Sequence, residues 1–226
     1  QKNGREVKQM YEKEKQQIID AALKMDKYQL ISLSGGNVSQ RMNKDHILVT
    51  PSGMIYEDMV ADDVLVVDNQ GNVVEGNRKA SVDTIALCYI YHHMPKVNAV
   101  IHTHQPYATG LGLVYDQIDC DLTTLANTTK GHVHVAPYSS AASIDMGIAV
   151  VDYIGDSLAV VLKNHGVVAI GKNLTEALYA AVYLEEAAKT LFVAYSSGKE
   201  IAKLTAEQIQ VAVDVFKNYG QNSALH

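Results

Sequence analysis

Residues 98–107 read NAVIHTHQPY, a short apolar run that ends in two histidines one residue apart. In an extended strand, side chains two positions apart point to the same face, so His102 and His104 can converge on one point. Neutral imidazole is a common metal ligand, and three protein ligands with an open position are typical of a catalytic zinc site. The run therefore predicts a strand that carries two metal ligands, although two strand histidines bonded to backbone or water would show the same spacing.

Other histidines compete for the same role. His132 and His134, in GHVHVAPY, have identical spacing, whereas His92 and His93 are adjacent on a predicted helix and cannot converge. His165, in LKNHGV, lies at a predicted turn between two apolar strands, where a structural histidine has little reason to be. We expect His165 to be the third ligand, but spacing alone does not exclude the pair at 132 and 134.

Two glycine-rich stretches, SLSGGNVSQR and TPSGMIY, combine small residues, backbone N–H groups and hydroxyls in predicted tight turns. Such turns bind anions, phosphate above all, although ordinary turns look the same. The segment GNRKAS follows, with Ser81 at a predicted helix start. Asp83, in the predicted first turn of that helix, either complements the helix dipole or aims a carboxylate at a metal or a substrate proton.

The pattern of apolar residues predicts helices and strands that alternate along the chain. Helices are predicted over 7–30, 81–94, 106–115, 143–154, 174–195 and 205–219, by helical spacing or by capping residues and prolines. Strands are predicted at 98–102 and 132–138, and as hairpins over 37–50, 63–76 and 158–171. These elements predict an α/β fold with a central, largely antiparallel β-sheet flanked by helices.

Length and composition limit the class of protein. The chain has 226 residues, which predicts a single domain over 1–226 with a C-terminal tail from about 205. Its net charge of −6 and the absence of a basic stripe argue against a nucleic-acid partner. There is no apolar stretch near the ~20 residues that a membrane span needs, and no signal-peptide pattern at the N-terminus. Two distant cysteines, Cys88 and Cys120, are typical of a reducing compartment, so we expect a cytoplasmic protein.

Taken together, the motifs SGGNVS, ILVTPSGM, VVEGN with S-x-D, AVIHTH and NHGVVAIG resemble, in order and spacing, the zinc-dependent class II aldolase, epimerase and adducin-like family. The resemblance extends from about residue 10 to about residue 195. It implies the fold predicted above, one Zn²⁺ per subunit, and a homotetramer with active sites between subunits.

The same resemblance implies a role for each matching residue. The zinc ligands correspond to His102, His104 and His165. The loops that bind the substrate phosphate correspond to Gly36, Asn37, Ser52, Gly53 and Ser81. Members of the family place a second serine after the first, where this chain has Val82. Because one hydroxyl is missing, we expect phosphate binding to be weaker by about 1 kcal/mol, the usual value of one hydrogen bond.

Features of two branches of the family occur in this chain. Asp83 followed by Thr84 resembles the L-ribulose-5-phosphate 4-epimerases, whereas the sugar-phosphate aldolases have Glu there. His165 follows His104 by 61 positions, without the insertion found in the epimerases. Asn127 stands where the epimerase has an acidic residue, and Thr123 where the fuculose-phosphate aldolase has Tyr. The resemblance on balance favours the aldolase.

The implied reaction is retro-aldol cleavage of a ketose 1-phosphate such as L-fuculose 1-phosphate, giving dihydroxyacetone phosphate and an aldehyde. Asp83 would move the substrate proton, and Tyr219, in a YGQ segment that resembles the end of the epimerase, would act as an acid across a subunit interface. An inert C-terminal tail is the alternative for Tyr219. The other readings are 4-epimerisation of a pentulose 5-phosphate, decarboxylation or dehydration on the same fold, and an adducin-like interaction module.

Overall fold

The computed structural model describes residues 10–216, in which α-helices and β-strands alternate. The helices are α1 (Glu12–Lys27), α2 (Thr84–His93), α3 (Pro106–Val114), α4 (Thr123–Thr129), α5 (Ile144–Tyr153), α6 (Leu174–Ser196) and α7 (Ala206–Phe216). The strands are β1 (Asn37–Arg41), β2 (Ile47–Val49), β3 (Leu65–Val67), β4 (Val73–Glu75), β5 (Ala99–Thr103), β6 (Gln117–Ile118), β7 (Val133–Ala136), β8 (Ala159–Leu162) and β9 (Gly166–Gly171). Two short 3-10 turns, Tyr56–Asp58 and Ala61–Asp63, lie between β2 and β3.

All of these strands form one sheet in the order β4-β3-β2-β1-β5-β9-β8-β7-β6. Neighbouring strands are antiparallel, except that β7 and β8 are parallel. The predicted fold class, a largely antiparallel sheet flanked by helices, is therefore confirmed. Strand β5, which contains His102 and is followed directly by His104, lies in the middle of the sheet between β1 and β9.

Helices cover both faces of the sheet, because alternate side chains of each strand point to opposite sides. Ala99 and Ile101 of β5 belong to the apolar cluster that includes residues of α1, α3, α4 and α6. Val100, between them, belongs to a second cluster that includes residues of α2 and α5. Continuing the alternation, the side chain of His102 faces the layer of α2 and α5, where the site is assembled.

The helix ends follow from short polar signals in the sequence. The Ser143 hydroxyl accepts a hydrogen bond from the N–H of Asp145 at the start of α5, and the Asn173 side chain accepts one from the N–H of Glu176 at the start of α6. Helix α2 ends at His93, just before Pro95, which cannot continue a helix. None of the helices described over residues 10–216 is both long and apolar enough to span a bilayer.

The predicted elements correspond closely to the described ones, with a few differences. The first helix begins at Glu12 rather than near residue 7, and residues 1–9 lie outside the described part of the chain. Asp83 occupies the N-cap position, immediately before the first turn of α2. Helix α4 and the two-residue strand β6 were not predicted, because their mixed polar sequences show neither helical nor alternating apolar periodicity.

Candidate active site

Three histidines meet at one end of the central strands. His102 lies in β5, His104 follows its last residue, and His165 lies in the turn between β8 and β9. Strands β5 and β9 are neighbours, with Thr103 opposite Val167, so the turn before β9 lies beside the end of β5. One ligand nitrogen from each histidine lies within 4.8 Å of the others, and within residues 10–216 this is the one such group of three or more His, Cys, Asp or Glu side chains.

The imidazoles are oriented as metal ligands. Nδ1 of His102 donates a hydrogen bond to the carbonyl of Val167 at 2.9 Å, which leaves the lone pair of its Nε2 free. This Nε2 lies 3.1 Å from Nε2 of His104, and two nitrogens on a tetrahedral zinc are about 3.3 Å apart for Zn–N bonds of about 2.0–2.1 Å. Burial, with the nearby imidazoles of His165 and His104, lowers the pKa of His102 to about 3, so that ring is neutral. The donor set therefore fits a divalent metal ion.

Two glycines allow the backbone to approach the histidine strand closely. A Cβ on Gly166 would lie 2.1 Å from the carbonyl oxygen of Thr103, and one on Gly36 would lie 2.3 Å from the carbonyl oxygen of His102. Gly36 also has a φ of 76°, a left-handed conformation that other residues rarely adopt. Any larger residue at these positions would push the adjoining turns away from β5.

The chain that follows the second histidine is held from behind by α6. The buried amide of Gln105 donates to the carbonyl of Ala181 at 3.2 Å. The buried carboxylate of Glu185 accepts the N–H groups of Tyr107 and Ala108, at 2.9 and 3.0 Å, in the first turn of α3. Helix α6 therefore restrains the backbone on which His104 is mounted.

Asp83 brings a carboxylate to the same region from the start of α2. It is 6% exposed, and its Oδ2 accepts a hydrogen bond from Nδ2 of Asn37 at 2.9 Å. Its Oδ1 accepts the N–H of Ala142 at 3.2 Å, from the loop before α5. The negative charge of Asp83 also raises the pKa of His165, against the stronger lowering by burial. The carboxylate is therefore held on both oxygens, close enough to His104 and His165 for its charge to raise the pKa of each.

The turn at residues 52–53 is brought next to Ser81 by a short antiparallel bridge between Pro51 and Ala80. The N–H of Ser52 donates to Lys79, and the N–H of Ser81 donates to Thr50. Neither bond of this bridge uses the N–H of residue 51, so proline is tolerated there. Ser81 is buried, whereas Ser52 and Gly53 are exposed.

The structure thus brings most of the predicted residues together. Asn37 differs from the expectation of a phosphate-binding residue, because its side chain is engaged with Asp83. The amide nitrogen of Asn37 is bonded to Asp83, and its Oδ1 is buried without a hydrogen-bond partner among the described residues. The side chain of Val82 is 62% exposed. Sequence reasoning missed Ala142, which contributes only a backbone N–H and leaves no signal in the sequence.

Several candidates lie elsewhere. His132 and His134 are exposed near the β6 edge of the sheet, away from the central strand β5. His92 and His93 are exposed at the end of α2. The residues compared with the two branches, Thr123 and Asn127, lie on α4, which packs against α6 and α7. Tyr219 lies outside the described residues.

Comparison with known proteins identifies the family. The model of the Class II Aldolase and Adducin N-terminal domain matches residues 16–192. An L-fuculose phosphate aldolase from Haemophilus influenzae is 35% identical over 205 residues, covering 91% of this chain and 94% of the relative. An L-ribulose-5-phosphate 4-epimerase from Salmonella paratyphi C is 32% identical over 198 residues, covering 81% of this chain and 86% of the relative.

A solved structure of L-fuculose 1-phosphate aldolase has a TM-score of 0.83 and 29% identity, covering 90% of this chain and 95% of the other. The chain therefore belongs to the class II aldolase and adducin family.

Proposed function

We propose that this class II aldolase, a metal-dependent carbon–carbon lyase, cleaves a ketose 1-phosphate such as L-fuculose 1-phosphate. The products are dihydroxyacetone phosphate and an aldehyde. The observation that carries the proposal is the convergence of three imidazole nitrogens within 4.8 Å beside the carboxylate of Asp83. Similarity to two proteins named as fuculose phosphate aldolases supports this choice of substrate.

The metal is proposed to be Zn²⁺, one per chain, held by His102, His104 and His165. Three neutral imidazoles leave the ion its full charge, which would stabilise the negative charge that develops on the ketose oxygens as the C–C bond breaks. The tautomer of His102 is set by its hydrogen bond to Val167, so this ligand needs no rearrangement to bind.

Asp83 is proposed to transfer the proton at the carbon that loses or gains the bond. Asn37 and the N–H of Ala142 hold its two oxygens, which restricts the carboxylate to one orientation. A fixed carboxylate beside the metal ligands supports this role, because a proton can be moved only within hydrogen-bonding reach. Asn37 therefore helps to orient Asp83, in addition to its proposed contact with the substrate.

The substrate phosphate is proposed to bind at the two glycine turns and the start of α2. The residues are Gly36, Asn37, Ser52, Gly53 and Ser81. The bridge between Pro51 and Ala80 brings the second turn beside Ser81, which supports a shared site. Val82 offers no hydroxyl, so phosphate binding loses about 1 kcal/mol relative to a second serine.

A second group would accept the proton of the substrate hydroxyl that becomes the aldehyde oxygen during cleavage, and would return that proton in the reverse direction. We assign it to Tyr219 of a neighbouring subunit in a homotetramer whose active sites lie between subunits. The same proposal places the protein in the cytoplasm and treats residues 1–226 as one catalytic domain.

The second candidate function is 4-epimerisation of L-ribulose 5-phosphate. Asp83 followed by Thr84 favours it, as does the epimerase that is 32% identical. A non-catalytic adducin-like role is less well supported, because three grouped histidines beside a carboxylate have no evident use in an interaction module.

The test is an end-point assay of the zinc-loaded protein with L-fuculose 1-phosphate and, separately, L-ribulose 5-phosphate. We expect dihydroxyacetone phosphate from the first substrate and no D-xylulose 5-phosphate from the second. A chelated sample is the control and should be inactive.

Xylulose 5-phosphate from the second substrate alone would reverse the ranking of the two functions. No product from either substrate, with zinc bound, would reject both sugar phosphates as substrates.

A further inference from the structure

Tyr56 is a buried tyrosine that lies between the two glycine turns proposed to bind phosphate. It begins the 3-10 turn that follows TPSGMI, and its side chain is 2% exposed. Its hydroxyl donates a hydrogen bond to the carbonyl of Gly36 at 2.9 Å. The side chain thus reaches from the end of the second turn to the backbone of the first.

A second hydroxyl completes this connection. The Thr50 hydroxyl accepts the N–H of Val38 at 3.2 Å, and it lies close enough to Tyr56 to lower the pKa of that hydroxyl against the larger effect of burial. The two hydroxyls thus hold the backbone on either side of one residue, Thr50 at the N–H of Val38 and Tyr56 at the carbonyl of Gly36. Asn37 lies between the two bonded backbone groups, so the pair brackets it on both sides.

The same pair is tied to the other phosphate-binding elements. The carbonyl of Thr50 accepts the N–H of Ser81, and the turn at 52–53 follows directly along the chain. Burial raises the pKa of Tyr56 to about 12, so its hydroxyl keeps its proton at neutral pH and remains a donor. Three segments that approach the proposed phosphate position, 36–38, 50–56 and the start of α2, are thereby linked, the first two through side-chain hydroxyls and the third through the carbonyl of Thr50.

We propose that Tyr56, together with Thr50, is a positioning residue that sets the separation of the two glycine turns and so determines affinity for the substrate phosphate. The inference rests on the proposed function, because it concerns the same phosphate site. Tyr56 itself does not touch the substrate in this account, and it acts through Gly36 and Asn37.

The experiment is the substitution Tyr56→Phe, which removes one oxygen atom and keeps the ring. We expect the dissociation constant for inorganic phosphate, measured by calorimetry on the zinc-loaded protein, to rise about five- to tenfold, the factor for loss of one net hydrogen bond. The KM for the sugar phosphate should rise by a similar factor. Bound zinc per chain and kcat should stay within twofold of the wild type.

Tyr91→Phe is the matched control. Tyr91 is 3% exposed, and its hydroxyl lies 2.9 Å from the hydroxyl of Ser39, which shares the strand and the face of Asn37 but lies two residues farther from the glycine turn. This substitution should lower the free energy of unfolding as Tyr56→Phe does, while leaving the phosphate dissociation constant and KM unchanged. Thr50→Val removes the other hydroxyl and should reproduce the effect of Tyr56→Phe. If Tyr56→Phe does not fold, Thr50→Val serves as the test variant in its place.

Unchanged phosphate affinity in Tyr56→Phe and in Thr50→Val would overturn the inference and leave the hydroxyl pair a purely structural role. An equal loss of phosphate affinity in Tyr91→Phe would also overturn it. A wild-type protein that binds no phosphate would reject the phosphate site of the proposed function, and this inference with it. Normal wild-type binding with unchanged variants rejects the inference alone.

Discussion

Two His-x-His pairs, at 102 and 104 and at 132 and 134, lie on the same face of one sheet and have different surroundings. In both regions the alternate residues, such as Ile101 and Val133, belong to the apolar cluster on the opposite face. The first pair lies at the end of the central strand β5. The second pair lies at the start of β7, next to the edge strand β6. The same His-x-His spacing therefore occurs once at the centre of the sheet and once near its edge.

The neighbours of each pair decide what it can do. The first pair receives a third imidazole from His165, and the charge of Asp83 acts on the group. In the second pair, Nδ1 of His132 accepts the N–H of Cys120, and the ring lies 3.7 Å from Asp119. His134 is exposed. The same spacing gives a candidate metal site at the end of β5, because the turn before the neighbouring strand β9 delivers a further imidazole there.

The largest expected difference comes from removing one histidine of each pair. His104→Ala should abolish stoichiometric zinc binding and lower kcat by on the order of 10³-fold or more, since several kcal/mol of charge stabilisation are lost. His134→Ala should leave both quantities within twofold of the wild type. Zinc content by elemental analysis and the aldolase assay measure the two effects.

Retained zinc and turnover in His104→Ala would show that the first pair is not the metal site. Loss of zinc in His134→Ala would show that the comparison between the pairs is wrong.

A smaller effect is expected from the glycine that lets the third ligand approach. In Gly166→Ala the new Cβ would meet the carbonyl of Thr103, so the turn that carries His165 must shift. We expect the free energy of unfolding to fall by about 1–3 kcal/mol and zinc affinity to weaken by about tenfold. Urea unfolding and competition with a chelating dye measure these changes.

Gly110→Ala in α3 is the control, because a Cβ there meets nothing within 4 Å. It should stabilise the protein by about 0.5–1 kcal/mol, as alanine does in a helix interior, with zinc affinity unchanged. Unaltered zinc affinity in Gly166→Ala would mean that close approach of the turn is not required for the third ligand.

The smallest effect belongs to the surroundings of the second pair. Lys203 bridges Asp119 and Asp121, at 2.9 and 2.7 Å, and its side chain is 54% exposed. Lys203→Met should therefore lower the free energy of unfolding by less than about 1 kcal/mol, and by less still at high salt. Urea unfolding at two ionic strengths, with zinc content as a second measurement, tests this. A change in zinc content would show that the second pair is coupled to the metal site.

Much of the fold could be predicted because its signals are local. Helix α6 follows from its apolar periodicity and from Asn173 at its N-cap, and the hairpin of β8 and β9 follows from two apolar runs around a polar turn. The unpredicted helix α4, in LTTLANTTKG, carries threonines and an asparagine at positions where helical spacing would need apolar residues, and its helical state depends on packing against α6 and α7. The parallel pairing of β7 with β8 joins strands separated by a helix, so no local pattern specifies it.

The candidate site was predictable in its residue types and only partly in its contacts. The histidines and Asp83 came from motifs and from a family resemblance. The bond between Asn37 and Asp83, the backbone N–H of Ala142 and the hydroxyl pair of Thr50 and Tyr56 have no signature, because they join segments distant in sequence.

By itself, the sequence determined the α/β class, the positions of most elements and a set of histidines and carboxylates capable of metal chemistry. These depend on periodicity, capping and turn residues, which act over a few neighbours. Only the tertiary structure decided that His102 and His104, rather than His132 and His134, receive a third imidazole. That choice depends on strand order, because a strand's neighbours in a sheet are set by packing of the whole chain and determine which side chains reach its end.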